Sequence, residues 1–103
     1  EPTDIEIANA PRLTEVVCHS KNLKTIDLSK CTNLRRVDLK DCTFTASEDT
    51  AKKAAIEISG QFSKPTVTIE NCTQTGFYTK GLWFVKDNTK KPVVIVDNQV
   101  QNY

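Results

Sequence analysis

Apolar residues recur at a fixed spacing through the first half of the chain. Leu13, Val16 and Cys18 are followed by Leu23, Ile26 and Leu28, and then by Leu34, Val37 and Leu39. The last two sets read L-x-x-L-x-L-x-x-C, closing on Cys31 and Cys42 and leading to Leu34 and Phe44. In the first set Lys21 stands where that cysteine would fall. Alternate side chains of a strand point to opposite faces. Val16 with Cys18, Ile26 with Leu28, and Val37 with Leu39 are therefore predicted to point inward as pairs. Glu15, Val17 and His19, then Thr25, Asp27 and Ser29, then Arg36, Asp38 and Lys40 are predicted to face outward.

The spacing follows the leucine-rich-repeat consensus L-x-x-L-x-L-x-x-N/C-x-L, in full from Leu34 to Phe44 and through Cys31 in the set before it, where Leu34 falls one place late. Residues 13–45 resemble that family, most closely its short, degenerate repeats in secreted or surface-attached bacterial proteins. The resemblance implies an α/β fold: a right-handed leucine-rich-repeat-like solenoid of short parallel strands, with one helix and irregular crossovers. In the family an Asn side chain satisfies backbone groups at the turn after each strand. The resemblance places Cys31 and Cys42 in that role, as small buried thiols with weak donors. A 10- or 11-residue unit is too short for a full coil of this family, which takes about 20 or more residues. Either successive segments lie on opposite faces of one coil of about 21 residues, or the first segments form a capping ribbon; the first is favoured.

Beyond residue 44 the pattern changes. Ser47-Glu48-Asp49-Thr50 followed by AKKAAIEI predicts a helix, capped by Ser47 and ended before Gly60. Ala51, Ala54, Ala55 and Ile58 give it an apolar stripe. The competing reading is a strand over 54–59, on the alternation of Ile56 and Ile58. A second internal match aligns Lys64-Pro65-Thr66-Val67-Thr68-Ile69-Glu70-Asn71 with Lys91-Pro92-Val93-Val94-Ile95-Val96-Asp97-Asn98. Cys72 follows Ile69 at the spacing by which Cys42 follows Leu39. One domain over 1–103 is expected, regular over 13–45 and irregular over 46–103.

Composition narrows the function classes. The 103 residues carry 14 Lys plus Arg against 13 Asp plus Glu, a net charge of +1, which is not a nucleic-acid-binding balance. The longest apolar run, Val93 to Val96, is too short to insert in a membrane. The polar start Glu1-Pro2-Thr3-Asp4 reads as a processed end or as a boundary set by cloning, with a leader removed or lying outside the chain. With the family resemblance, this leads to an expected location outside the cell or on its surface.

Four cysteines, at 18, 31, 42 and 72, allow three disulfide connectivities. Their spacing lacks the close pairs of a zinc site. Cys18 and His19 are adjacent on a strand and point apart, which disfavours a nucleophile–base pair. Asp27 and Asp38 could approach to bind Ca²⁺ if their strands stack, but solvated surface carboxylates are the favoured reading. N-C-T at 71–73 matches a glycosylation sequon, without meaning if the source is bacterial. No cofactor motif and no catalytic set is found, so the expectation is a non-catalytic module.

The remaining chemistry is that of a surface. The candidate binding residues are Glu15, His19, Asp27, Arg36, Asp38, Lys40, Tyr78 and Trp83. The first six lie on outward strand rows, the usual recognition surface of stacked repeats. The aromatics Phe77, Tyr78, Trp83 and Phe84 are expected to cap or fill the core where the repeat loses its regular Leu, with exposed binding the lesser reading; Tyr78 and Trp83 are more expected outside than Phe77 and Phe84. Trp and Tyr serve binding hot spots and stacking platforms. A protein partner is expected. A carbohydrate-binding module using the exposed aromatics and a structural spacer within a larger surface protein are the alternatives.

Overall fold

In the computed structural model the structure describes residues 12–28, 31–58, 64–78 and 92–102, together with the backbone of 83–84. Among the described residues ten strands follow one another: β1 (Glu15–Cys18), β2 (Ile26–Asp27), β3 (Arg36–Lys40), β4 (Thr43–Thr45), β5 (Ile56–Glu57), β6 (Thr66–Glu70), β7 (Thr73–Thr75), β8 (Trp83–Phe84), β9 (Val93–Val96) and β10 (Gln99–Val100). They form three sheets: β1-β3-β6-β9-β10 (sheet A), β4-β7 (sheet B) and β2-β5-β8 (sheet C). The chain visits A, B and C in rotation, and each strand from β1 to β6 pairs in parallel with its counterpart one circuit later. In sheet A, Arg36 lies beside Glu15, Thr66 beside Arg36 and Val93 beside Thr66, so the circuits take 21, 30 and 27 residues. In sheet B, Leu23 bridges to Phe44 and Phe44 pairs with Gln74. In sheet C, Ile26 pairs with Ile56, which pairs with the backbone of Trp83.

The α/β leucine-rich-repeat-like solenoid with one helix is therefore corrected. The described residues contain strands and turns and no helix, and sheet A is mixed because β10 runs antiparallel to β9. The expected helix after Ser47 shows why. A first helical turn starts: Ser47 N donates to Thr50 Oγ1 at 2.9 Å, while the Thr50 and Ala51 amides return to the Ser47 carbonyl at 3.2 and 2.9 Å. The turn then stops. Ile26 N donates to the Ala55 carbonyl at 2.8 Å and Leu28 N to the Glu57 carbonyl at 2.9 Å. These bonds draw 55–57 into sheet C and bury Ala54, Ala55, Ile56 and Ile58. A helix there would leave the inner edge of β2 unpaired, and nucleating a short helix is unfavourable. The Ile56–Ile58 alternation prevails over the alanine stripe.

The core is a stack of side-chain rows running from circuit to circuit. Val16, Val37, Val67 and Val94 form one row of sheet A, and Leu39 and Ile69 lie in the next; all are buried. Phe44, with Leu23 beside it, is the largest fully buried side chain among the described residues. The β-branched residues of β6 and β9 suit these pleated, half-buried positions. No helix among the described residues is long and apolar enough to cross a membrane.

The corner after β3, β6 and β9 has a fixed form. Asp41, Asn71 and Asp97 adopt left-handed φ of 55°, 53° and 48°. Asp and Asn tolerate this region better than other non-glycine residues. At the last corner Asn98 follows with φ 67°. Two successive positive φ values make the tight turn that folds β10 back on β9. That hairpin occupies the edge of sheet A where another parallel strand would otherwise add.

Candidate functional site

Sheet A presents a continuous outer face. Its outward rows are Glu15–Arg36–Thr66–Val93 and Val17–Asp38–Thr68–Ile95, with Lys40 and Glu70 paired at the strand ends. The Arg36 guanidinium reaches Glu15 at 3.3 Å and Asp38 at 3.0 Å, and Lys40 Nζ reaches Glu70 at 3.5 Å. The face changes character along the stack, from charged on β1 and β3, through threonine on β6, to Val93 and Ile95 on β9. Val100, paired beside Ile95, is 65% exposed.

Four of the candidate residues are gathered here: Glu15, Arg36, Asp38 and Lys40. His19 is exposed at the corner just past β1. Asp27 is exposed on β2, in sheet C, and so lies on a different face from Asp38. The two carboxylates therefore do not form a shared cation site. Tyr78 follows β7, is 72% exposed, and is held by its amide donating to the Ala51 carbonyl at 2.8 Å. Phe77 is half-buried against the core. The side chains of Trp83 and Phe84 lie outside the described residues, as does Ser29.

A shallow cavity of about 300 Å³ opens at sheet B, lined by Lys21, Asn22, Leu23, Lys24, Thr45, Ala46 and Ser47. Sequence reading passed it over, because Lys21 registered only as a missing repeat residue. Among the described residues no three His, Cys, Asp or Glu stand where a metal ion would be held.

None of the four cysteines is in a disulfide. Cys42 and Cys72 occupy the same corner on successive circuits, directly before the paired Thr43 and Thr73. The buried Cys42 thiol donates to the Cys18 carbonyl of the preceding circuit at 3.2 Å. Cys72 repeats the contact one circuit on, donating to the Leu39 carbonyl at 3.3 Å. Ser20 takes the place in the first circuit, where its carbonyl accepts from Thr43 N as the Cys42 carbonyl accepts from Thr73 N. Cys31 does not belong to this row. It lies beyond β2, on the way from sheet C to sheet A, with its amide on the Leu28 carbonyl at 3.0 Å. The shared L-x-x-L-x-L-x-x-C spacing thus brings Cys31 and Cys42 to different corners. Burial pushes the Cys72 thiol up from 9.0 to about 11; the adjacent Cys42 thiol adds to the rise, and hydrogen bonding with the backbone opposes it. The row reads as structural thiols poorly disposed to nucleophilic chemistry.

The left-handed corner adds a polar line outside the thiols. Asn71 Nδ2 donates to Asp41 Oδ1 at 2.7 Å, and Asn71 N donates to Asp97 Oδ1 at 2.8 Å. The sequence signal was an Asp or Asn immediately ahead of Cys42 and Cys72. Comparison with protein-family models, with curated proteins and with solved structures found no match.

Proposed function

We propose that this chain is a non-catalytic binding or adhesion module that presents the outer face of sheet A to a protein partner, outside the cell or on its surface. The observation that carries this reading is the charge pattern of Glu15, Arg36, Asp38, Lys40 and Glu70, held in register on adjacent strands and bridged at 3.0–3.5 Å. Exposed ion pairs of this kind add little to stability. Their alternating signs on a rigid sheet favour recognition of a partner with the complementary pattern, setting register and encounter rate more than raw affinity. The neighbouring apolar strip of Val93, Ile95 and Val100 supplies area of the kind that interface cores use.

The test is a panel of purified cell-surface and matrix proteins, screened by biolayer interferometry against the native chain and the Arg36→Glu/Lys40→Glu variant. The reading expects a partner whose association slows with the variant and with added salt. Binding that ignores both the variant and salt would refute it. A carbohydrate-binding role is the second reading, favoured by the exposure of Tyr78. A glycan array with Tyr78→Ala and Trp83→Ala as controls decides it: no sugar signal, or a signal untouched by both changes, removes that reading.

A further inference from the structure

We infer that Cys42 and Cys72 are a latent cross-circuit disulfide site, which a low-molecular-weight disulfide such as oxidised glutathione converts into a covalent clamp between successive circuits of the chain. The geometry comes from register. Thr43 and Thr73 are partners, and Thr73 N donates to the Cys42 carbonyl at 3.0 Å, so the two cysteines face each other across adjacent parallel segments. Adjacent strands lie about 4.8 Å apart, inside the Cα separation of about 4.4–6.8 Å that a disulfide spans. The side chains lean the same way along the stack. Cys72 donates to the Leu39 carbonyl, which belongs to the circuit of Cys42, and so its sulfur is directed toward that circuit. The Cys72 thiol also donates to the Glu70 carbonyl at 3.4 Å and the Cys42 thiol to the Lys40 carbonyl at 3.6 Å, the same contact one circuit apart.

Accessibility sets the order of events. Cys72 is half-buried and Cys42 is buried, so the oxidant meets Cys72 first. The Cys72 thiolate attacks one sulfur of the reagent, forming a mixed disulfide and expelling one thiolate. Cys42 attacks the Cys72 sulfur, its proton passing to the thiolate of the reagent that this attack expels. The protein loses two hydrogens and two electrons; the reagent gains them and leaves as two thiols. Because burial keeps Cys72 protonated at neutral pH, the first step is slow there and accelerates as the pH rises toward the Cys72 pKa of about 11.

The experiment uses the full reduced chain, treated with oxidised glutathione at pH 7.5 and 9, then alkylated, digested with trypsin and mapped by mass spectrometry. The expected product is the segment 41–52 joined to the segment 54–80, formed about tenfold faster per pH unit. Cys18→Ala leaves the product in place, and Cys72→Ser abolishes it. A stable glutathione adduct on Cys72, a Cys18–Cys42 product, or four unreacted thiols at pH 9 would each overturn the inference.

Discussion

Phe44→Ala is the sharpest perturbation of the core. Phe44 sits on β4, fully buried, bridged to Leu23 on one side and paired with Gln74 on the other. An aromatic side chain buries about 150–250 Å². At about 25 cal/mol per Å² this amounts to about 4–6 kcal/mol, of which alanine retains the share of one methyl group. The cavity left behind adds a further loss wherever the walls cannot collapse, and here they are backbone-paired strands. The expected destabilisation is about 3–5 kcal/mol, a large part of the stability of a domain this size. Urea unfolding followed by circular dichroism measures it. Thr45→Ala, exposed on the same strand, is the control and should change stability by less than about 1 kcal/mol. A loss below about 1 kcal/mol for Phe44→Ala, indistinguishable from Thr45→Ala, would refute the placement of Phe44 at the centre of the stack.

Other expectations test separate parts of the molecule. Arg36→Ala removes two exposed ion pairs and should cost less than about 1 kcal/mol in urea unfolding, less still at high salt. Asn71→Val puts a β-branched residue at φ 53° and should cost about 1–3 kcal/mol, whereas Asn71→Gly should cost less because it loses only the side-chain bond to Asp41. The folded-state pKa of Cys72 is raised from 9.0 to about 11, so the stability it contributes is fully present below pH 9 and is lost as pH rises through 11. The native chain should therefore lose more stability than Cys72→Ser between pH 8.5 and pH 11 in urea titrations, and equal losses would contradict the burial of that thiol.

The strand rows of the first half were legible because period-2 alternation depends only on which side chains must leave water. Val16, Val37 and Leu39 are buried and Glu15, Arg36 and Lys40 exposed for that reason. The match of 64–71 to 91–98 was legible too, since β6 and β9 pair in that register. What the repeat could not show was which sheet each segment joins. Leu23 bridges into sheet B and Ile26 enters sheet C within a few residues, so one sequence unit spans two sheets. Hence Asp27 and Asp38, equivalent by spacing, face different directions, and Cys31 parts company with Cys42. The failed helix after Ser47 has the same origin. Its cap and alanine stripe are local signals, while the parallel partner that captures Ile56 is Ile26, thirty residues away. The sheet B cavity was hidden because its walls come from two circuits, Lys21 to Lys24 and Thr45 to Ser47.

The rotation of the chain through three sheets, parallel from circuit to circuit, positions the candidate residues of β1, β2 and β3, and NMR tests it most directly. Cross-strand contacts between backbone protons are expected from Val37 to both Val16 and Val67, from Val67 to Val94, and from Ile26 to Ile56. Slow amide exchange is expected at Thr66, Thr73 and Leu28, whose hydrogen bonds cross between circuits. A run of sequential amide–amide contacts with helical spacing from 48 to 58, and no contact between Ile26 and Ile56, would contradict it.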